Sequence, residues 1–161
     1  MDLNKDPAAS PMKAAIAEAL AGIDAKHGGP FGAVVVLDGK IIGKGHNKVL
    51  ASNDPTAHGE VEAIRDACKN LGTFDLHGAD LYTTCYPCPM CLGAILWARI
   101  SKVYYCMSSQ QAKALGFDDQ LFYDIFDDKK RLETLLKAEP KELENCQGLF
   151  EKYALSRHDM Y

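Results

Sequence analysis

The sequence predicts a layered α/β fold, and three features carry the prediction. Two segments repeat apolar residues at helical spacing, two β-rich runs meet at Asp38-Gly39, and residues 80–107 alternate strand, helix and strand. From Pro11 to His27, Met12, Ala15, Ile16, Ala19, Leu20 and Ile23 recur at three- and four-residue steps. This predicts a first helix, with Ser10 as N-cap and Gly28-Gly29 as the stop. Phe31–Leu37 and Ile41–Gly43 flank Asp38-Gly39 and predict an antiparallel hairpin, because Asp-Gly suits the tight turns that join such strands. Residues 44–56 hold Gly, Asn, Ser, Asp and Pro and predict a long loop.

A second helix is expected over Ala57–Asn70, with Val61, Ile64, Ala67 and Cys68 on its buried face and Leu71-Gly72 closing it. Asp80–Cys85 predicts a third strand, Cys88–Arg99 a third helix, Lys102–Met107 a fourth strand and Ser109–Leu115 a short helix. Strands separated by helices predict parallel pairings with helical crossovers. Beyond Gly116 the pattern becomes charged and helical, with aromatics at Phe117, Phe122, Tyr123, Phe126, Phe150 and Tyr153 before the terminal Tyr161.

Length and composition bound the class. A chain of 161 residues, 47% hydrophobic and 25% charged, is the size of one domain and buries a core without disulfide staples. No apolar run approaches a bilayer's thickness, and Met1–Pro11 lacks the apolar centre of an export signal, so a cytoplasmic protein is expected. The 18 basic residues are outnumbered by 22 acidic ones, giving a formal net charge of −4. No basic stripe is present to grip phosphates, which disfavours nucleic acid and favours a small substrate. The six cysteines read as reduced, with Cys68 and Cys106 expected in the core.

His58-Gly59-Glu60 and Pro87-Cys88-Pro89-Met90-Cys91 carry the chemistry. Cys88 and Cys91, three residues apart, share one face of a helix, and Pro89 fits the first helical position. One His and two Cys fill three positions of a tetrahedral zinc and leave the fourth for water, as in a catalytic rather than a structural site. A Cys-x-x-Cys alone is equally a redox pair; the His-x-Glu beside it shifts the reading to metal. Glu60 is then the acid/base, taking a proton from the attacking water and delivering protons to a ring nitrogen and a leaving amine. Glu62 lacks that setting and is expected on the surface, whereas His27, His46, His77 and His158 are expected to be structural or exposed.

His-x-Glu with Pro-Cys-x-x-Cys is the pattern of zinc nucleobase deaminases, and the chain resembles the cytidine deaminase-like superfamily over most of residues 11–120. Within it, Gly29-Pro-Phe-Gly-Ala-Val-Val-Val36, Ser52-Asn-Asp-Pro-Thr-Ala-His58, Pro87-Cys-Pro-Met-Cys-Leu-Gly-Ala-Ile95, Trp97-Ala-Arg99 and Gly116-Phe-Asp-Asp119 are similar to the small bacterial guanine deaminases. The resemblance implies a three-layer α/β/α fold with a mixed central sheet of about five strands. It implies one zinc per subunit on His58, Cys88 and Cys91, and substrate contacts from Asn47, Phe31, Trp97 and Asp119. It also implies a homodimer whose helical tail, residues 117–161, is exchanged so that Tyr161 closes the partner's site. Two residues depart from the subgroup: Tyr86 stands where Glu is frequent and Gly59 where Ala is usual, and both border the expected pocket. Guanine is the expected base; guanosine, cytosine, ammeline, tRNA adenosine and a non-catalytic zinc scaffold are the competing readings.

Overall fold

The computed structural model describes residues 9–141 and 146–155. Helix α1 (Ala9–Asp24) leads into β1 (Gly32–Leu37) and β2 (Lys40–His46); a single turn, α2 (Val49–Ser52), precedes α3 (Gly59–Leu71). Then come β3 (Asp80–Cys85), α4 (Pro89–Trp97), β4 (Lys102–Met107), α5 (Ser109–Ala114), α6 (Gln120–Asp127), α7 (Lys129–Leu135) and α8 (Cys146–Leu155). The chain divides into two compact units, Met1–Asp124 and Ile125–Tyr161. The sheet belongs to the first of these.

The sheet order is β2-β1-β3-β4. β1 pairs antiparallel with β2 and with β3, and β3 pairs parallel with β4, so the sheet is mixed. Asp38 (φ 50°) and Gly39 (φ 74°) both occupy the left-handed region that a type I′ hairpin turn requires. The described residues contain four strands, not about five. After β4 the chain turns into a capped helix, because Ser108 and Gln111 form a reciprocal capping box, and the aromatics of 120–127 recur at helical spacing.

Side-chain alternation on β1 builds the three layers. Ala33 and Val35 face one side and pack with Ala63, Ile64, Ala67, Leu81, Ile95 and Ile100; Val34 and Val36 face the other and pack with Ala15 and Tyr82. Helices α3 and α4 therefore cover one face and α1 the other. Tyr82 stacks on Tyr104 at 4.5 Å between ring centres, joining β3 to β4. Gly43 and Gly45 let β2 lie against α3, since a Cβ at either position would overlap the backbone of Ala63.

Several details differ from the sequence expectation. Ser10 lies inside α1 rather than capping it, and residues 44–46 extend β2 into the segment read as loop. Cys106 is exposed because β4 is the outer strand, with one edge and face unoccupied by other described strands. Glu62 is drawn inward by Lys48 (3.1 Å) and Arg65 (2.9 Å), leaving its side chain 17% exposed. No described helix is long and apolar enough to cross a membrane.

Candidate active site

Strand register gathers the site at one end of the sheet. Gly32 pairs with His46, Ala33 with Thr83, and Cys85 with Met107. The start of β1 and the ends of β2, β3 and β4 therefore lie side by side, and the segments leaving them supply the site residues. This is the edge where open α/β sheets hold ligands.

His58 is the N-cap of α3 and Cys88 the N-cap of α4, with Pro89 and Cys91 both in its first turn. Two helix N-termini thus converge, and their positive ends favour thiolates. The His58 Nδ1–Cys88 Sγ, His58 Nδ1–Cys91 Sγ and Cys88 Sγ–Cys91 Sγ separations are each 3.6 Å. A tetrahedral zinc with bonds of about 2.3 Å to sulfur and 2.0 Å to nitrogen places two sulfurs about 3.8 Å apart and a sulfur and nitrogen about 3.5 Å apart. The three donors therefore fit zinc, and they form the described His/Cys/Asp/Glu group placed to hold a metal ion.

The proton distribution shows the same predisposition. Hydrogen bonding from Cys91, aided by His58, holds the Cys88 thiol well below its usual range, and the shared proton drives Cys91 upward. The Cys88 thiolate in turn raises His58. A dication takes the place of such shared protons.

Glu60 is buried, and burial raises its pKa, against hydrogen bonds that lower it. Its Oε1 accepts from Thr83 Oγ1 at 3.1 Å, and Oε2 lies 3.5 Å from Cys91 Sγ. The carboxylate thus touches the metal group without joining it. The helix start makes this possible: His58 is still extended (ψ 156°) while Glu60 lies in the first turn, so residues two apart border one space.

A cavity of about 390 Å³ opens above these groups, lined by Gly28, Gly29, Phe31, Asn47, Val49, Leu50, His58, Glu60, Cys85, Tyr86, Cys88, Ala112, Phe117, Asp118 and Asp119. Its volume suits a small ligand. Asn47 is buried; its N–H donates to the Phe31 carbonyl (2.8 Å) and its Oδ1 accepts from Val49 N–H (3.2 Å). Phe31 meets Phe117 edge-on at 4.9 Å. Burial raises the Asp119 carboxyl, with the Cys88 and Asp118 charges adding to the effect. Neighbouring Asp118 is held low by the Gln120 backbone N–H and by Lys113, 3.2 Å away. Tyr86 lies edge-on to Tyr105 at 5.1 Å, and the Tyr123 hydroxyl beside it donates to the Pro87 carbonyl at 2.6 Å.

Of the residues expected from the sequence, His58, Glu60, Cys88, Asn47, Phe31, Tyr86 and Asp119 line this cavity, and Cys91 lies beneath it. Trp97 does not line it and is 69% exposed. Six residues of helix beyond Cys91 carry it about 9 Å along the α4 axis from the metal group. Tyr161 lies outside the described residues. A Cβ at Gly59 would come within 2.9 Å of the Phe31 carbonyl, so this glycine lets the start of α3 press against the strand carrying the pocket's phenylalanine. Sequence reasoning missed Thr83, Cys85 and Phe117. Thr83 is buried on the same face of β3 as core residue Leu81 and carries no motif, so only its partner reveals it. Cys85 is an inert thiol, pushed up to about 11 by burial and by the Glu60 and Asp119 charges.

Comparison with known proteins agrees with this geometry. Residues 6–107 match the family described as the cytidine and deoxycytidylate deaminase zinc-binding region. The chain is 54% identical over 116 residues to a guanine deaminase of Bacillus subtilis strain 168, covering 72% of this chain and 74% of that protein. It is also 53% identical over 76 residues to a tRNA-specific adenosine deaminase of Agrobacterium fabrum, covering 47% and 50%. Among solved structures, the X-ray structure of a Bacillus subtilis guanine deaminase superposes with a TM-score of 0.85 at 43% identity, covering 94% of this chain and 96% of that one. A Nitrosomonas europaea guanine deaminase gives 0.65 at 27% identity, covering 91% and 72%. With a zinc-shaped donor set, a buried carboxylate against it and the family's region spanning both motifs, the chain belongs to the cytidine and deoxycytidylate deaminase family of zinc-dependent hydrolytic enzymes.

Proposed function

We propose that this enzyme converts guanine and water to xanthine and ammonia. The reading is carried by one observation: Asp119 and Asn47 line the same small cavity as Glu60 and the zinc group. A purine with a 2-amino group offers several N–H donors to a carboxylate and both donors and acceptors to an amide. Zinc held by His58, Cys88 and Cys91 would supply Lewis acidity that makes a water nucleophilic near neutral pH.

The protein's own groups then divide the work. Asn47 and Asp119 hold the base edge while Phe31 and Phe117 enclose the ring. Glu60 takes a proton as the water oxygen bonds to C2, passes it to the ring nitrogen, and carries a second proton to the amino group. The C2–N bond then breaks and ammonia leaves. Burial suits Glu60 to this alternation, because a raised pKa lets a carboxylate give a proton back as well as take one. Thr83 fixes which oxygen is free to do so.

The enzyme is further inferred to be a cytoplasmic homodimer that exchanges its tail so that Tyr161 closes the partner's site; because Phe117 and Asp119 line this chain's own cavity, the exchange expected for residues 117–161 is narrowed to the part beyond Asp124. The resemblance to small guanine deaminases supports this reading, as does the separate compactness of residues 125–161. Similarity to tRNA-specific adenosine deaminases favours a second substrate; against it stand the net charge of −4 and the absence of a basic stripe. Ammonia release from guanine, guanosine, adenine, cytosine, ammeline and an anticodon stem-loop decides the matter. Guanine should lead by at least about 100-fold in kcat/KM, the scale set by the roughly 1–3 kcal/mol that leaving a buried polar group unpaired costs a poor substrate. A faster reaction with any other member would overturn the assignment.

A further inference from the structure

We infer that Glu18, His46 and His27 form a positioning relay that holds the cavity wall carrying Asn47. The inference rests on the proposed substrate-binding role of Asn47. His46 Nδ1 lies 3.2 Å from Glu18 Oε2, and His46 Nε2 lies 2.9 Å from His27 Nδ1. The two imidazoles meet ring nitrogen to ring nitrogen, with centres 5.2 Å apart and planes 22° from parallel. With its proton on Nδ1 facing the carboxylate, a neutral His46 accepts at Nε2 from the Nδ1–H of His27. Three elements are thereby joined through side chains: α1, the end of β2 and the loop before β1.

Each histidine immediately precedes a cavity residue. His46 is followed by Asn47, and His27 by Gly28 and Gly29. The two segments are also laced by backbone: the His27 carbonyl accepts from Leu50 N–H (3.0 Å) and Ala51 N–H (3.1 Å), orienting the turn that places Val49 and Leu50 in the wall. The fit leaves little slack. A Cβ at Gly22 would lie 2.8 Å from His46 Cδ2, and one at Gly28 would overlap Asn47 Oδ1. The His46 side chain is only 14% exposed, so a solvated surface pair does not describe it. None of these residues touches the zinc group or Glu60, so the relay sets where the base binds and leaves proton transfer alone.

The test is steady-state guanine deamination by zinc-loaded His46→Ala, His27→Ala and the double variant, with zinc content and Tm measured alongside. His46→Ala and His27→Ala should each raise KM roughly 10-fold, the loss of one partly buried hydrogen bond, with kcat within about twofold. The double variant should be no worse than the poorer single one, since both break the same link. His46→Gln, which can donate and accept, should recover part of the loss. Unchanged KM, multiplicative effects, or a fall in kcat with loss of zinc would each overturn the relay. If the wild type fails to deaminate guanine, the substrate reading falls by itself. Backbone hydrogen exchange over residues 47–52 still judges the relay: His46→Ala should accelerate it, and an unchanged rate would refute it.

Discussion

Replacing Glu60 with Gln isolates proton transfer from everything else the residue does. Gln matches Glu in size, and its amide oxygen accepts the 3.1 Å hydrogen bond from Thr83 as the carboxylate does. His58, Cys88 and Cys91 are untouched, so the zinc donor set remains complete. Removing a carboxyl whose ionised form burial disfavours should leave Tm unchanged or slightly higher. The chemistry is another matter, because acid/base catalysis by a positioned group contributes typically 10²–10⁴-fold, or about 3–5 kcal/mol of barrier.

The structure argues for the upper part of that range. Of the other two carboxylates that line the cavity, Asp118 is engaged by Lys113 and held low, and Asp119 is committed to the base edge, so neither is free to replace Glu60. Ammonia release by Glu60→Gln should therefore fall by about 10³-fold or more, with one zinc per chain retained by elemental analysis and KM within a few-fold of wild type. Adding Asp119→Asn to Glu60→Gln tests this directly. A Glu60→Gln enzyme that keeps zinc and turns over within tenfold of wild type would falsify the role assigned to Glu60.

Thr83→Val keeps the side-chain volume but removes the donor to Glu60, so the Glu60 pKa should rise further and the acidic limb of kcat/KM should move to higher pH; kcat should drop roughly 10-fold, and an unmoved limb would show that Thr83 does not act through Glu60. Asp119 accepts on both oxygens, with charge assistance, only when ionised, and because burial raises its pKa the ionised form appears at higher pH than for an ordinary Asp. KM for guanine should therefore climb as pH falls through that raised value, and Asp119→Asn should abolish this pH dependence while raising KM at neutral pH by roughly 10–100-fold. Dialysis against a chelator should remove activity and lower Tm, since an ion that binds only the folded protein stabilises it by mass action; zinc should restore both, and retention of activity in protein proven free of metal by elemental analysis would refute the metal assignment.

What could be read from sequence divides by the distance over which the cause acts. The Asp38-Gly39 turn, the Pro89 helix start and the Cys88–Cys91 spacing are local, and the structure realises each within a residue or two. His58, Glu60, Cys88 and Cys91 were likewise legible as a set, because a tetrahedral ion restricts the residue types that can hold it and the spacing within each pair. Thr83 was not, since its meaning comes from β3 lying beside α3, a contact between residues 23 positions apart. Trp97 differs for the opposite reason: it belongs to a recognisable motif, yet it does not line this chain's cavity, because helix geometry carries it along α4 away from the zinc donors. The histidines make the same point in chemical terms. His27 and His46 sit in a loop and at a strand end, settings that suggest solvent, and only the antiparallel register of β1 and β2 brings β2's end back to the loop before β1. Motif residues thus record the reaction because the ion imposes its own geometry. The residues that shape the wall answer only to the fold, and their roles emerge once the register is known.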